Sequence, residues 1–161
     1  MIDDIVDATD KALKMGIHPR YFQSERGFQG KFYCALQQIL DNKGLLQDGY
    51  ILEMEYQKSG LHNTSQRPDI ILHVPTEESG AKVDENNMAV WALKKDSRNE
   101  TLVKEDFDKL DKMFEILKYQ CGIFINIGSK NNFSEVYKGK FKDRLRMVAV
   151  WLEEEICTNW E

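Results

Sequence analysis

The chain has 161 residues, 42% of them hydrophobic, which is enough to bury one core of ordinary domain size and leaves little room for a second. Its formal net charge of -5 excludes a protein that coats nucleic acid by bulk attraction, so any such partner must be held by a local basic patch. No apolar run approaches the roughly 20 residues that cross a bilayer, and the acidic start "MIDDIVDATD" is unlike a signal peptide, so a cytoplasmic location is expected.

In chain order, residues 3–15 space Ile5, Val6, Ala12, Leu13 and Met15 at loose helical intervals and stop at Gly16, which predicts a short helix with a glycine cap. "GIHPRYF" then reads as a hinge. Over 24–40, the residues Phe28, Phe32, Ala35, Leu36, Ile39 and Leu40 recur at three- and four-residue steps, one buried stripe of a helix that Ser24 can cap. After "DNKG", the run "YILEMEYQ" at 50–57 alternates in part and predicts a strand, the first arm of a hairpin turning through "KSGLHNTSQ". "DIILHV" and "MAVWAL" follow as two strands rich in branched and aromatic residues, separated by "PTEESGAKVDENN". Residues 102–120 set Leu102, Val103, Phe107, Leu110, Met113, Phe114 and Leu117 at helical spacing. "CGIFINIG" is short and continuously apolar, as a central strand entered from a crossover helix should be. A last helix is expected over 141–157.

The order is therefore helix, three strands, helix, strand, helix. It describes an α/β domain with a mixed central sheet flanked by helices on both faces. One domain spans 1–161, with 1–20 as a helical extension, 24–128 as the core and 129–161 as a basic segment and closing helix. Cys34, Cys121 and Cys157 are odd in number and lack the paired spacing of zinc or iron-sulfur sites, so they read as reduced, mostly packed thiols.

Chemistry concentrates at the second and third strands. Alternation puts Val90, Ala92 and Lys94 on one face and Trp91, Leu93 and Lys95 on the other. Asp69 opens the neighbouring strand directly after Pro68. A carboxylate at one strand end, a second two residues before a lysine on the next, and a glutamate from a preceding helix would make an oxygen-rich magnesium site beside a cation. Such a site suits holding a phosphodiester, activating water and offsetting charge in the transition state. Only the middle carboxylate is absent here.

Pro68-Asp69 followed by Ala92-Leu93-Lys94 resembles the signature of the PD-(D/E)XK nucleases, whose core is also helix, three strands, helix and strand; the resemblance covers about residues 24 to 128. It implies a restriction-endonuclease-like fold and a magnesium-dependent (or manganese-dependent) DNA phosphodiester hydrolase, RNA not being excluded as substrate. It also implies Asp69 as a metal ligand, the Leu93 backbone carbonyl as another, and Lys94 as the catalytic lysine. Glu25 is the candidate first-helix glutamate, with the Lys31 position as its rival, and Glu53 or Glu55 could assist a metal. The departure is Ala92, where the family carries Glu, Asp or sometimes Gln. Two explanations are open: a degenerate relative that binds without cutting, or an inactivating alanine placed in an active enzyme. Retention of Asp69 and Lys94 favours the second. The resemblance further suggests defence against foreign DNA, and the small size suggests a homodimer or a partner subunit.

The plainer reading makes Asp69 a turn residue and Lys94–Lys95 a solvated strand end. Against it stands the strand order. The segment "SKNNFSEVYKGKFKDRLR" carries six basic residues against two acidic ones and offers Lys138, Lys140, Lys142, Arg144 and Arg146, with Lys95, as phosphate contacts; an ordinary solvated face explains it equally well. The acidic "EEEICTNWE" is expected to face away from DNA. His73, on the Asp69 face, is a packing residue before it is a catalytic one, and Trp91 is an anchor against a helix. Two other classes stay open: a pseudonuclease that binds nucleic acid or protein without chemistry, and a structural interaction subunit.

Overall fold

The computed structural model describes residues 1–15, 18–54, 68–75 and 86–161. Gly16, Glu55, His62, and the expected turn and loop over 58–66 and 76–85, lie outside them. Helix α1 (Ile2–Lys14) buries Ile5, Ala8, Thr9, Ala12 and Leu13, a three-and-four spacing that makes one continuous apolar stripe. After a 3-10 turn (Pro19–Gln23), α2 (Glu25–Asn42) starts where Ser24 Oγ accepts the Gly27 N–H at 3.0 Å. Helix α3 (Glu100–Leu117) starts at Asn99, whose side chain accepts the Thr101 N–H, and stops at Lys118 in the left-handed region.

Six strands form one sheet in chain order: β1 (Ile51–Met54), β2 (Ile70–His73), β3 (Asn87–Lys95), β4 (Cys121–Ile127), β5 (Leu145–Leu152) and β6 (Ile156–Trp160). β1, β2 and β3 pair antiparallel; β3, β4 and β5 run parallel; β6 returns antiparallel to β5. Ile70, Leu72, Ala89, Trp91, Leu93, Ile123 and Ile125 pack with α1 and α2 on one face of the sheet. On the other, Ile71, Val90 and Phe124 pack with α3 and with Phe133 and Tyr137. The protein is thus a mixed six-stranded sheet covered on both faces, and among the described residues it has three α-helices.

The alternation read for β3 holds, and Trp91 is the anchor expected: its Nε1–H donates to Thr9 Oγ1 of α1 at 3.0 Å. α1 is a wall of the core rather than an appendage. Its Asp10 accepts from Thr158 and Trp160, tying it to β6.

The expected helix over 141–157 is wrong. "LRMVAVWL" forms β5, buried against β4, and "ICTNW" forms β6 after a tight turn at 153–155. Val148, Val150 and Trp151 favour a strand, and the open edge of β4 supplies the hydrogen bonds that an isolated helix would have made internally. Of the thiols, Cys121 is buried and Cys157 half-buried, but Cys34 is exposed. No helix among the described residues is long and apolar enough to cross a membrane.

The crossover helix approaches β4 through a glycine. A Cβ on Gly122 would lie 2.5 Å from the Phe114 ring. Gly122→Ala should therefore destabilise the fold by about 1–3 kcal/mol, measured by chemical denaturation, and combining it with Phe114→Leu should recover part of the loss.

Candidate functional site

The last residue pair between β2 and β3 is Ile70 with Trp91, yet β3 continues to Lys95 with β4 on its other side. Pro68 and Asp69 end the pairing, so the N–H groups of Leu93 and Lys95 emerge beyond the end of β2. Two side chains meet them. Asp69 Oδ2 accepts the Leu93 N–H at 2.7 Å, and Glu25 Oε2, from the first turn of α2, accepts the Lys95 N–H at 3.0 Å. Gln29 of the same helix donates to the Asp69 carbonyl at 3.0 Å. α2 thereby fixes both acids at the point where the antiparallel half of the sheet gives way to the parallel half.

At that point lies a cavity of about 100 Å³, whose lining includes Asp69, Ala92, Lys94, Asp106 and Lys109. The strand register puts Asp69, residue 92 and Lys94 on the α3 face, which is the convergence that the sequence pattern required. Asp106 and Lys109 come from α3 and were not anticipated. Lys94 Nζ is 3.3 Å from Asp106 Oδ2, and Lys109 Nζ is 2.9 Å from Asp106 Oδ1. A signal existed: Asp106 falls in the buried stripe of α3 beside Val103, Phe107, Leu110 and Met113, where an acid is out of place.

Charge in this cavity is tightly constrained. Burial pushes the Asp69 carboxyl from 3.8 up to about 6; the Leu93 N–H and Lys94 oppose this, while the charges of Glu25 and Asp106 add to it. For Lys94, burial alone would lower the pKa, but Asp106 first, then Glu25 and Asp69, outweigh it and hold the ammonium above its ordinary value. Lys94 is thus protonated at neutral pH. It can orient and polarise, and it cannot act as a base.

The remaining candidates lie elsewhere. Glu53 on β1 accepts or shares a proton with His73 Nε2 at 2.6 Å, an edge pair further along the sheet. Lys31 is a half-buried residue of α2 on the following turns, and Lys95 is exposed at the end of β3. The basic segment starts after β4 at the Lys94 end of the sheet, where Lys130 pairs with Glu153, and runs to the start of β5, so residues 140–146 sit at the opposite end. Lys140 there pairs with Glu115 at 2.8 Å, Arg144 lies over the Phe141 ring, and Arg146 donates to the carbonyls of Asp143 and Leu145. Lys138 and Lys142 are exposed. The acidic turn at 153–155 instead lies at the same sheet end as Lys94, contrary to the expectation drawn from its charge.

Among the described residues no group of three His, Cys, Asp or Glu side chains is placed to hold a metal ion. What the cavity offers is the second oxygen of Asp69 and the Leu93 carbonyl, which leaves β3 on the same side as its N–H; Asp106 is already paired with Lys94 and Lys109. This set does not make a closed cage. It does fit magnesium, which commonly takes one or two carboxylates and draws its other oxygens from water and substrate phosphate. No family model, curated protein or solved structure matches the chain at a significant level, so the site is read from its own residues.

The raised Asp69 value has a sign that can be checked. A folded-state pKa of about 6 against 3.8 means that the charged form opposes folding above pH 6 and contributes nothing below 3.8. Asp69→Asn keeps an acceptor for the Leu93 N–H and removes the charge. It should raise stability in metal-free buffer at pH 8 by roughly 1–3 kcal/mol, with the gain fading as pH falls through 6 and absent below 3.8. Denaturation curves across that range measure it; a loss of stability at pH 8 would make the charged carboxylate a structural cap instead.

Proposed function

We propose that the protein is a PD-(D/E)XK-like phosphodiester hydrolase acting on nucleic acid, DNA before RNA, with magnesium or manganese, and that alanine at position 92 weakens its hold on the ion. The observation that carries this reading is the convergence of Asp69, residue 92 and Lys94 on one sheet face around a cavity. The element order of α2, antiparallel β1 to β3, crossover α3 and parallel β4 agrees with a restriction-endonuclease-like core.

A bound divalent ion would supply charge for the phosphate oxygens and a more acidic water. The chain's own groups do the rest. Asp69 and the Leu93 carbonyl would hold the ion, Gln29 keeps Asp69 in place from α2, and Glu25 ties the start of α2 to the end of β3. Lys94, protonated, orients the attacking water and offsets charge building on the phosphate. Lys95 at the strand end is the nearest exposed candidate for a backbone phosphate. Defence against foreign DNA, and assembly as a homodimer or with a partner subunit, follow from the resemblance and the small size.

A binding module without chemistry is the second reading. It is favoured by the structural use already made of these groups: Asp69 and Glu25 cap free N–H groups of β3, and Lys94 is ion-paired.

Plasmid cleavage separates the two. Ala92→Glu should raise magnesium-dependent cleavage at least about tenfold over the parent, and adding Lys94→Ala to it should lower the rate by about 100-fold or more. Chelation should abolish cutting. A folded Ala92→Glu protein that binds manganese yet cuts neither DNA nor RNA would favour the binding module.

A further inference from the structure

We infer that Asp106, on α3, is the positioning residue for Lys94: its carboxylate fixes where the ammonium stands at the cavity, a task for which alanine at position 92 has no charge to offer. The catalytic meaning of this assignment rests on the reading proposed above; the ordering of the lysine does not.

Lys94 lies three residues past Trp91, the last β3 residue that pairs with β2, so no strand on that side confines its four-carbon stem. A lysine at such a strand end ordinarily snorkels into water. Here it is only 37% exposed, and its Nζ sits 3.3 Å from Asp106 Oδ2. Residue 92 shares the Lys94 face two positions earlier, but a methyl group cannot direct an ammonium. Asp69 and Glu25 are the other acids within electrostatic reach, and each has an oxygen committed to a β3 N–H. Asp106 Oδ2 meets no competing donor among the described residues. Of the three acids, Asp106 does most to favour the charged form of Lys94.

The place of Asp106 in α3 suits direction better than stability. It stands inside the apolar stripe beside Val103, Phe107 and Leu110 and is 8% exposed. A buried ion pair is often no more stabilising than well-packed apolar side chains, so its contribution here is a fixed geometry. The carboxylate is itself braced: Lys109, one turn further along α3, donates to Oδ1 at 2.9 Å. One oxygen held from the helix leaves the other for β3. The Lys94 ammonium is thereby set at the cavity that Asp69 and residue 92 also line. A lysine that orients an attacking water needs such a fixed position, because small displacements of a reacting group cost rate steeply.

The test follows the Lys94 ammonium by nitrogen-15 relaxation of lysine-labelled full chain, its signal assigned by its loss in Lys94→Arg. In the parent, Lys94 Nζ should be more ordered than that of the exposed Lys138. Asp106→Asn, nearly isosteric, should bring Lys94 to the mobility of Lys138, Asp106→Glu should restore part of the order, and Lys109→Met should leave most of it. A Lys94 as mobile as Lys138 in the parent would overturn the assignment whether or not the variants fold. Unchanged order in a folded Asp106→Asn would do the same. Cleavage is scored separately in the Ala92→Glu background, where adding Asp106→Asn should lower kcat at least about fivefold and leave KM for DNA within about twofold; an effect on KM alone would contradict positioning. If Ala92→Glu cuts with undiminished kcat in the presence of Asp106→Asn, the positioning role fails and the nuclease reading stands. If Lys94 loses its order in Asp106→Asn and no variant cuts, the positioning of the lysine stands and the nuclease reading fails.

Discussion

Strand β3 outruns its neighbour. β2 stops pairing at Ile70, so two N–H groups of a central strand need acceptors that no strand provides, and the carboxylates of Asp69 and Glu25 provide them. Each acid then has one oxygen committed to the backbone and one left over. The rest of the site follows from that constraint: α2 must begin where it does to deliver Glu25 and Gln29, and Asp69 must face the cavity opposite residue 92. The same arrangement can end a sheet or hold an ion, which is why two functional readings grow from one geometry.

Electrostatics weighs on the choice. Asp69 and Asp106 line a cavity with the half-exposed Lys94 and Lys109, and the charge of Glu25 reaches it from the start of α2. Asp69 is disfavoured as an anion by its burial, and Lys94 is kept cationic by its acidic neighbours. A structural cap gains nothing from an acid whose ionisation is resisted; an amide would accept the same N–H. A divalent cation would reverse that balance by rewarding the ionised form of Asp69. The burial that disfavours charged Asp69 is thus the kind of local disadvantage that ligand binding relieves.

The elements around the site were legible because their patterns are strong. Ser24 announced α2, the apolar stripe over 102–120 announced α3, and the unbroken apolar run "CGIFINIG" announced a buried central strand. β5 was misread because "LRMVAVWL" has no clear helical or alternating period; its state is set by the open edge of β4, a tertiary fact. The basic segment was read by charge alone, while the parallel run of β3, β4 and β5 carries its residues 140–146 to the other sheet end. Asp106 and Lys109 were missed for the converse reason. Their charges were read with the alternating charges of a solvated helix face, although Asp106 stands inside the apolar stripe beside Val103 and Phe107.

The central claim is that Asp69 and the Leu93 carbonyl would hold a cation beside Lys94, and anomalous diffraction from crystals of the chain soaked in manganese addresses it most directly. The account predicts an anomalous peak in the cavity at about 2.1 Å from an oxygen of Asp69. A soaked crystal with no anomalous signal beside Asp69 would contradict it.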